Sequence, residues 1–385
     1  MEETVPDADE QSLQHFISNS PWDARSVMNE VAAGADRLLG GCEDTILVID
    51  DSGIPKKGTH SVGVSRQYCG QTGKVDNCQV GVYASLVHED KATLIDARLF
   101  LPERWTKDEE RCQQAGVPSE EAVFRTKHRI ALEIVQNALK AGVRFSYIAF
   151  DGFYGENGEL LRALDSVGLK FFADVHKNQH IFVDDPLKAR NAEAVRVDEW
   201  VAAQPYQAWR RTTLRQGTKG PIEVEVLHRR VWLSKKGETQ SHCWHLIVRR
   251  EIGNRDEIKY TLSNAAADVP RAKLAYLQGQ RYWVERCFQE AKQQAGLGDY
   301  QVRSWTGWHH HMAMVLMATL FMLEQRFESG EELPLTCSDI EWILKQMLPS
   351  RGRTEKEIFA LLKKRLQKRG VAIPVHSPPK PNLTK

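Results

Sequence analysis

Thr45-Ile-Leu-Val-Ile-Asp-Asp51 is a short, unbroken apolar run, rich in β-branched side chains, that ends in two acids. Such a run is the pattern of a strand buried on both faces. Phe145-Ser-Tyr-Ile-Ala-Phe150 repeats it and leads into Asp151-Gly-Phe-Tyr-Gly155, so a second aspartate leaves a second buried strand just before a turn. If the two strands lie side by side, their acids can converge. Outward from this pair, residues 62–69, 77–87 and 92–100 alternate or run apolar and read as strands, with a turn at 70–76. The sheet is therefore expected to open with antiparallel strands, and residues 171–175 add another.

Helices are expected on both sides of this sheet. Residues 10–18 and 23–39 are polar and helical, with Asp23 as N-cap and a Gly-Gly turn at Gly40. Pro118-Ser-Glu-Glu121 predicts a helix capped by Ser119 and running to about Ala141, and residues 157–166 form a further one. From about 178 to 265 the pattern turns to polar β, at 206–214, 222–233, 242–250 and 259–263, which reads as an inserted, mostly antiparallel module. A helix over 270–294 and an apolar one over 308–327 follow, then a basic helix over 355–368 and a proline-bearing tail over 374–385. The expected class is α/β: a mixed sheet flanked by helices and interrupted by a β insertion. Its segments are 1–43 (helical), 44–177 (first part of the core), 178–265 (insertion), 266–330 (second part of the core) and 331–385 (basic helix and tail).

Composition narrows the function classes. The apolar and charged fractions, 42% and 27%, are those of a soluble globular chain. The longest apolar run, at 312–323, is too short to span a membrane, and the acidic N-terminus has no secretory pattern. The 7 cysteines are scattered without a C-x-x-C pair, which argues against a disulfide framework or zinc ribbon and for a reducing cytoplasm. A net charge of +1 gives no general attraction for polyanions, but its distribution does. Between Trp209 and Arg250, the cations Arg210, Arg211, Arg215, Lys219, Arg229, Arg230, Lys235, Lys236, Arg249 and Arg250 far outnumber Glu223, Glu225 and Glu238. This block, interleaved with Trp232 and Trp244, is a candidate phosphate-binding surface.

Arg281-Tyr-Trp-Val-Glu-Arg-Cys-Phe-Gln-Glu-Ala-Lys292 supplies a third carboxylate. Arg281, Glu285 and Lys292 stand four and seven residues apart and share one face of a helix. Glu290, five residues after Glu285 and about 140° round the helix, faces away. Two strand-end aspartates and this glutamate can hold two Mg²⁺ ions through oxygen ligands, with no need of His or Cys. Asp50 and Asp51 compete for the first position, because neighbours on a strand point to opposite faces. His309-His-His311 point in three directions on a helix and cannot chelate one ion. No G-x-x-x-x-G-K-[ST] loop occurs, since Tyr68 stands where the first glycine before Gly73-Lys74 would be needed. Lys56 and Lys57, in the glycine- and lysine-rich stretch after Asp51, are candidate phosphate contacts, and Trp232 or Trp244 candidate stacking platforms for an extruded base.

Asp51-Ser-Gly-Ile-Pro-Lys-Lys-Gly58, Gly73-Lys-Val-Asp-Asn-Cys-Gln-Val-Gly81, Asp151-Gly-Phe-Tyr-Gly155, Arg281-Tyr-Trp-Val-Glu285 and Gly296-Leu-Gly-Asp-Tyr300 together resemble the DDE transposases of bacterial insertion sequences, in the cut-and-paste branch. The resemblance covers roughly residues 10 to 325. It implies an RNase H-like fold and a catalytic, metal-binding triad at Asp51, Asp151 and Glu285. Asp51 is preferred to Asp50 because the resemblance aligns the residue before the Ser/Thr with the catalytic aspartate. It also implies two Mg²⁺ ions, with Mn²⁺ as a substitute, and cleavage and joining of DNA at terminal inverted repeats and a target. A synaptic dimer in the nucleoid-associated cytoplasm would carry out the reaction. The branch's Y-R-E-K signature fits at Arg281, Glu285 and Lys292, as DNA contacts around the glutamate, but its tyrosine position is Gln278, with Tyr276 only nearby. Related full-length transposases carry a further helical segment before the position of Met1, so recognition of the repeats is expected to be weakened. The competing expectations are a silent, DNA-binding transposase remnant and an RNase H-like nuclease that does not transpose.

Overall fold

The computed structural model describes residues 9–189, 191–217, 220–233, 241–330, 335–347, 354, 356 and 360. Apart from Lys356 and Ala360, the expected helix over 355–368 lies outside them, as do the tail over 374–385 and Lys219, Lys235, Lys236 and Glu238 of the basic block. The chain divides into two compact units, one of residues 15–340 and one of residues 1–14 with 341–385. In the second, the described residues belong mainly to the start of α1 (Glu10–Ser18) and the end of α12 (Cys337–Met347).

The larger unit is built on β1 (Ile46–Pro55), which pairs antiparallel with β3 (Lys74–His88) and parallel with β5 (Tyr147–Phe150). The other edge of β3 is shared by β2 (Ser65–Cys69) and β4 (Lys91–Leu99). β6 (Phe171–Val175) lies parallel to β5. The short β7 (His180–Ile181) and β8 (Val195–Arg196) pair with each other. The inserted strands β9 (Arg210–Gly217), β10 (Gly220–Leu233), β11 (His242–Glu251) and β12 (Ile258–Ser263) extend the same sheet. β12 pairs antiparallel with β6, so the insertion continues the central sheet from its β6 edge.

Helices cover both faces of this mixed sheet, the RNase H-like α/β arrangement. In chain order they are α2 (Ala24–Leu39), α3 (Glu103–Thr106), α4 (Glu109–Gln114), α5 (Lys127–Lys140), α6 (Gly152–Gly155), α7 (Gly158–Ser166), α8 (Val197–Ala202), α9 (Arg271–Gly279), α10 (Tyr282–Gln293) and α11 (Trp305–Glu328). Alternation along β1 sorts its side chains. Ile46, Val48 and Ile54 pack with Val284, Cys287 and Phe288 of α10 and Met312 of α11. Leu47 and Ile49 pack with Ile130 and Ile134 of α5 and Leu160 of α7. Among the described residues no helix is long and apolar enough to cross a membrane.

Three expectations need correction. β1 does not stop at its aspartates but continues to Pro55, because Asp50 to Pro55 keep pairing with Tyr83 to Cys78 of β3. Residues 118–126 are not helical: α5 starts at Lys127, and Thr126 caps it by accepting from the Arg129 N–H (3.2 Å). Residues 270–294 form two helices rather than one, broken at Gln280 and Arg281, which places Arg281 at the N-cap of α10. Asp23 caps α2 as expected, accepting from the backbone N–H groups of Arg25 and Ser26.

Candidate active site

Parallel pairing assembles the carboxylates. Ile49 of β1 stands beside Phe150 of β5, and Phe150 beside Ala173 of β6. The next residue on each strand is an aspartate, so Asp50, Asp151 and Asp174 form a row across three neighbouring strands. Ile49, Phe150 and Ala173 all face the α5 side, and one step of alternation turns the row toward α10. Asp151 is also the N-cap of α6, accepting from the Tyr154 N–H (3.2 Å). The close approach of α6 to β6 explains Gly155: a Cβ there would lie 1.9 Å from the Asp174 carbonyl oxygen. Any side chain at Gly155 would have to push away the strand that carries Asp174.

Arg281 sits over this row. Its guanidinium reaches Asp174 (3.2 Å), Glu285 (3.2 Å) and Asp50 (3.6 Å) through three different nitrogens. Asp174 is held in turn by the Thr261 hydroxyl, which donates to its other oxygen (2.5 Å), and Gln278 Nε2 donates to that hydroxyl (2.7 Å). The Gln278 side chain is thus largely buried, supporting Asp174 through Thr261 while it borders the cavity next to Arg281. One guanidinium does not neutralise the row. Burial and the neighbouring Asp151 push the Asp50 carboxyl up to about 7 against the pull of Arg281. Burial likewise raises that of Asp151. Lys292 is half-buried on the same side, where burial depresses its pKa while Asp50 acts against that shift.

Asp51, favoured from the sequence, pairs with Lys127 on the α5 side (2.8 Å) while its charge still acts on Asp151, whereas Asp50 lies 3.6 Å from Arg281, the residue that pairs with Glu285. The preference for Asp51 rested on the aligned Ser/Thr, whereas the side of the strand is set by pairing register. Asp174 and Lys127 were missed. An aspartate inside the apolar run Phe171-Phe-Ala-Asp-Val175 was the available signal for the first, and no local signal marks the second.

The other expected contacts scatter. Lys56 donates to the Tyr300 carbonyl and lies over that ring (4.5 Å to its centroid), with burial lowering its pKa to about 8. Lys57 is exposed. Trp244 is a core residue, packed edge-on against Phe171 and donating to Asp165 (3.2 Å), which removes it as a stacking platform. Trp232 is part-buried and exchanges backbone hydrogen bonds with Phe182. Arg211 pairs with Glu223, and Arg230 donates to the Cys243 carbonyl (2.6 Å). Arg210 donates to the Gln207 carbonyl, while Arg229 is exposed. The three histidines diverge as expected, onto the carbonyls of Trp305, of Ile17 and Trp22, and of Gly296.

The donor chemistry suits a hard divalent cation, because every acid at the row offers oxygen and the row carries more negative charge than Arg281 balances. Among the described residues, however, no three Asp, Glu, His or Cys side chains are gathered closely enough to hold an ion as they stand. Arg281 occupies the space between them, and Glu285, 56% exposed, leans onto that guanidinium.

A family model described as DDE superfamily endonuclease matches residues 1–221, a span that contains Asp50, Asp51, Asp151 and Asp174 and ends before Glu285. The chain is also similar to a probable transposase for insertion sequence element IS701 from Microchaete diplosiphon. The two are 25% identical over 294 residues, covering 76% of this chain and 69% of that protein. The matched span takes in more than half of the sequence together with the whole aspartate row, and the chain belongs to the DDE superfamily endonuclease family.

Proposed function

We propose that the chain is a transposase that cuts the ends of an insertion sequence and joins them to target DNA, with Asp50, Asp151 and Glu285 as its catalytic carboxylates. The observation that carries this reading is the in-register row of Asp50 and Asp151 facing the helix of Glu285. The named transposase relative supports the substrate class. The expected triad is kept at Asp151 and Glu285, and its first member moves from Asp51 to the residue that shares their side of the sheet. Mg²⁺, as two ions, or Mn²⁺ in its place, would be held by these three acids. Such ions activate the attacking oxygen and stabilise the leaving one.

The chain's own residues prepare the site. Burial of the row keeps water from screening its charge, so Asp50 and Asp151 retain a strong demand for a cation beyond Arg281. Arg281, held by Asp174, stands at the row where a scissile phosphate would need a positive partner. Lys292, on the same side of α10, is a second such partner. Both ends of an element must be cut in concert, so the working species is a dimer or larger assembly on DNA.

The test is nicking and joining of DNA carrying the element's terminal repeats, with and without Mg²⁺. Asp151→Asn and Glu285→Gln should each lower cleavage on the order of 10³-fold, about 4 kcal/mol of barrier, while leaving DNA binding nearly intact. Nicking without a joined product would mark a nuclease that does not transpose. DNA binding without metal-dependent nicking would mark a silent transposase. Strand transfer retained by either variant would remove that residue from the site.

A further inference from the structure

The basic block of the insertion is not uniform. Arg211 is neutralised by Glu223, and Arg250 by Glu225 (2.7 Å), with its guanidinium over Trp209. Arg215 and Arg249 differ from these. Arg215 stacks on the Tyr282 ring (3.9 Å to its centroid) but forms no hydrogen bond or ion pair with a described residue. Arg249, which is part-buried, has none either. Its direct cross-strand neighbour on β12 is Lys259, again without a partner among the described residues. Two like charges opposite each other on a sheet repel, and a part-buried guanidinium without an anion is costly.

These three cations line a cavity of about 240 Å³ between the inserted strands and the α9–α10 junction, and Arg281 and Glu285 form its far wall. Of the acids in the wall, Asp174 and Glu285 are already taken by Arg281. That leaves Glu251, which forms no ion pair with Arg249, against Arg215, Arg249 and Lys259. Burial depresses the pKa of Arg249, and the nearby Asp174 and Glu251 only partly compensate. The cavity has a surplus of donors, its part-buried carboxylate Asp174 is already held by Arg281 and Thr261, and it lies beside the aspartate row.

We propose that this cavity is a subsite for one backbone phosphodiester of bound DNA, held by Arg249, Lys259 and Arg215 next to the carboxylate row. The proposal rests on the reading of the chain as a DNA-cleaving enzyme. A phosphate here would bridge the Arg249–Lys259 pair and convert a repulsive contact into a shared one. With Arg281 in the common wall, the occupied cavity would fix how far the strand stands from Asp50, Asp151 and Glu285.

The experiment measures binding of the 385-residue chain to a 30-base-pair duplex by fluorescence anisotropy, without divalent metal, between about 50 and 200 mM salt. Arg249→Gln and Lys259→Gln should each weaken binding about 3- to 10-fold and lower the slope of log affinity against log salt by about one. Arg249→Lys should restore the slope. Arg129→Gln, on the α5 side of the sheet, should match wild type, and thermal melts establish that each variant is folded. Wild-type binding with an unchanged slope in both Arg249→Gln and Lys259→Gln would overturn the subsite and leave the DNA-cleaving reading standing. A wild-type chain that ignores duplex DNA but is stabilised by millimolar inorganic phosphate through Arg249 would overturn the phosphodiester assignment in favour of a small-anion site. Failure to bind either probe would overturn both proposals.

Discussion

The aspartate row and the inserted strands beside it handle charge in opposite ways. At the row, Asp50, Asp151 and Asp174 stand in register on adjacent strands, and one guanidinium serves Asp50, Asp174 and Glu285, so negative charge is concentrated and under-balanced. On the inserted strands, much of an equally charge-rich segment cancels locally. Arg211 meets Glu223, and Arg250 meets Glu225 across the β10–β11 ladder. The difference shows that counting charges along a segment does not locate a binding surface. What matters is whether strand register brings like charges together or pairs opposite ones. Parallel strands in register bring the acids at one level together, whereas the antiparallel β10–β11 ladder sets Arg250 opposite its counter-ion Glu225.

The sharpest way to break this contrast is inside one dipeptide. Asp50→Asn should lower cleavage on the order of 10³-fold, because it removes a member of the row, and Asp51→Asn less than about 10-fold, because it loses only the Lys127 pair. Single-turnover cleavage rates of the two variants decide this, and the opposite ranking would return the site to Asp51.

On the insertion the expected effects are on stability. Arg250→Gln should destabilise the fold by about 2–3 kcal/mol, since Glu225, with a side chain only 9% exposed, loses its main partner. Chemical denaturation at neutral pH measures it. A loss below about 0.5 kcal/mol would mean that Arg255, 3.3 Å from the same carboxylate, suffices.

A pH effect of similar or smaller size belongs to the His228–His245 pair, hydrogen-bonded at 2.7 Å across β10 and β11. Burial, and then the charge of His245, hold His228 down to about 4. Its folded value lies below the unfolded one of about 6.5. The contribution to stability is therefore complete above about 6.5 and is lost as pH falls toward 4. His228→Gln should flatten that limb of the pH–stability curve by up to about 2 kcal/mol. Denaturation midpoints at pH 7 and pH 4.5 provide the comparison, and an unchanged limb would show that the pair is not what titrates there. The smallest effect is expected at Arg211, 65% exposed on its ion pair with Glu223. Arg211→Gln should alter stability by less than about 0.5 kcal/mol and DNA affinity by less than twofold.

Much of this was legible in the sequence because the signals were local. The buried strands announced themselves by unbroken β-branched runs, and Asp23 marked the start of α2 as a side-chain cap. The inserted strands showed alternation and glycine-bearing turns. Signals that depend on partners failed. Nothing near Ser119 shows that the following turn stays non-helical until Thr126, and continuous helical periodicity through Gln280 hides the break that sets Arg281 at the head of α10. Trp244 looked like a candidate platform among arginines because its core partners, Phe171 and Asp165, are distant in sequence.

The sequence by itself determined that two buried strands would deliver aspartates and that a helix would carry Glu285 between cations. It did so because burial, alternation and helical spacing are read over a few residues. Tertiary structure alone decided which of two adjacent aspartates faces that helix, since a strand's sides are assigned by its register with β3 and β5 and by what packs on each face. It also supplied Asp174 as the third member of the row and separated Arg249, without an ion-pair partner among the described residues, from the paired Arg250, one residue apart on opposite faces of β11.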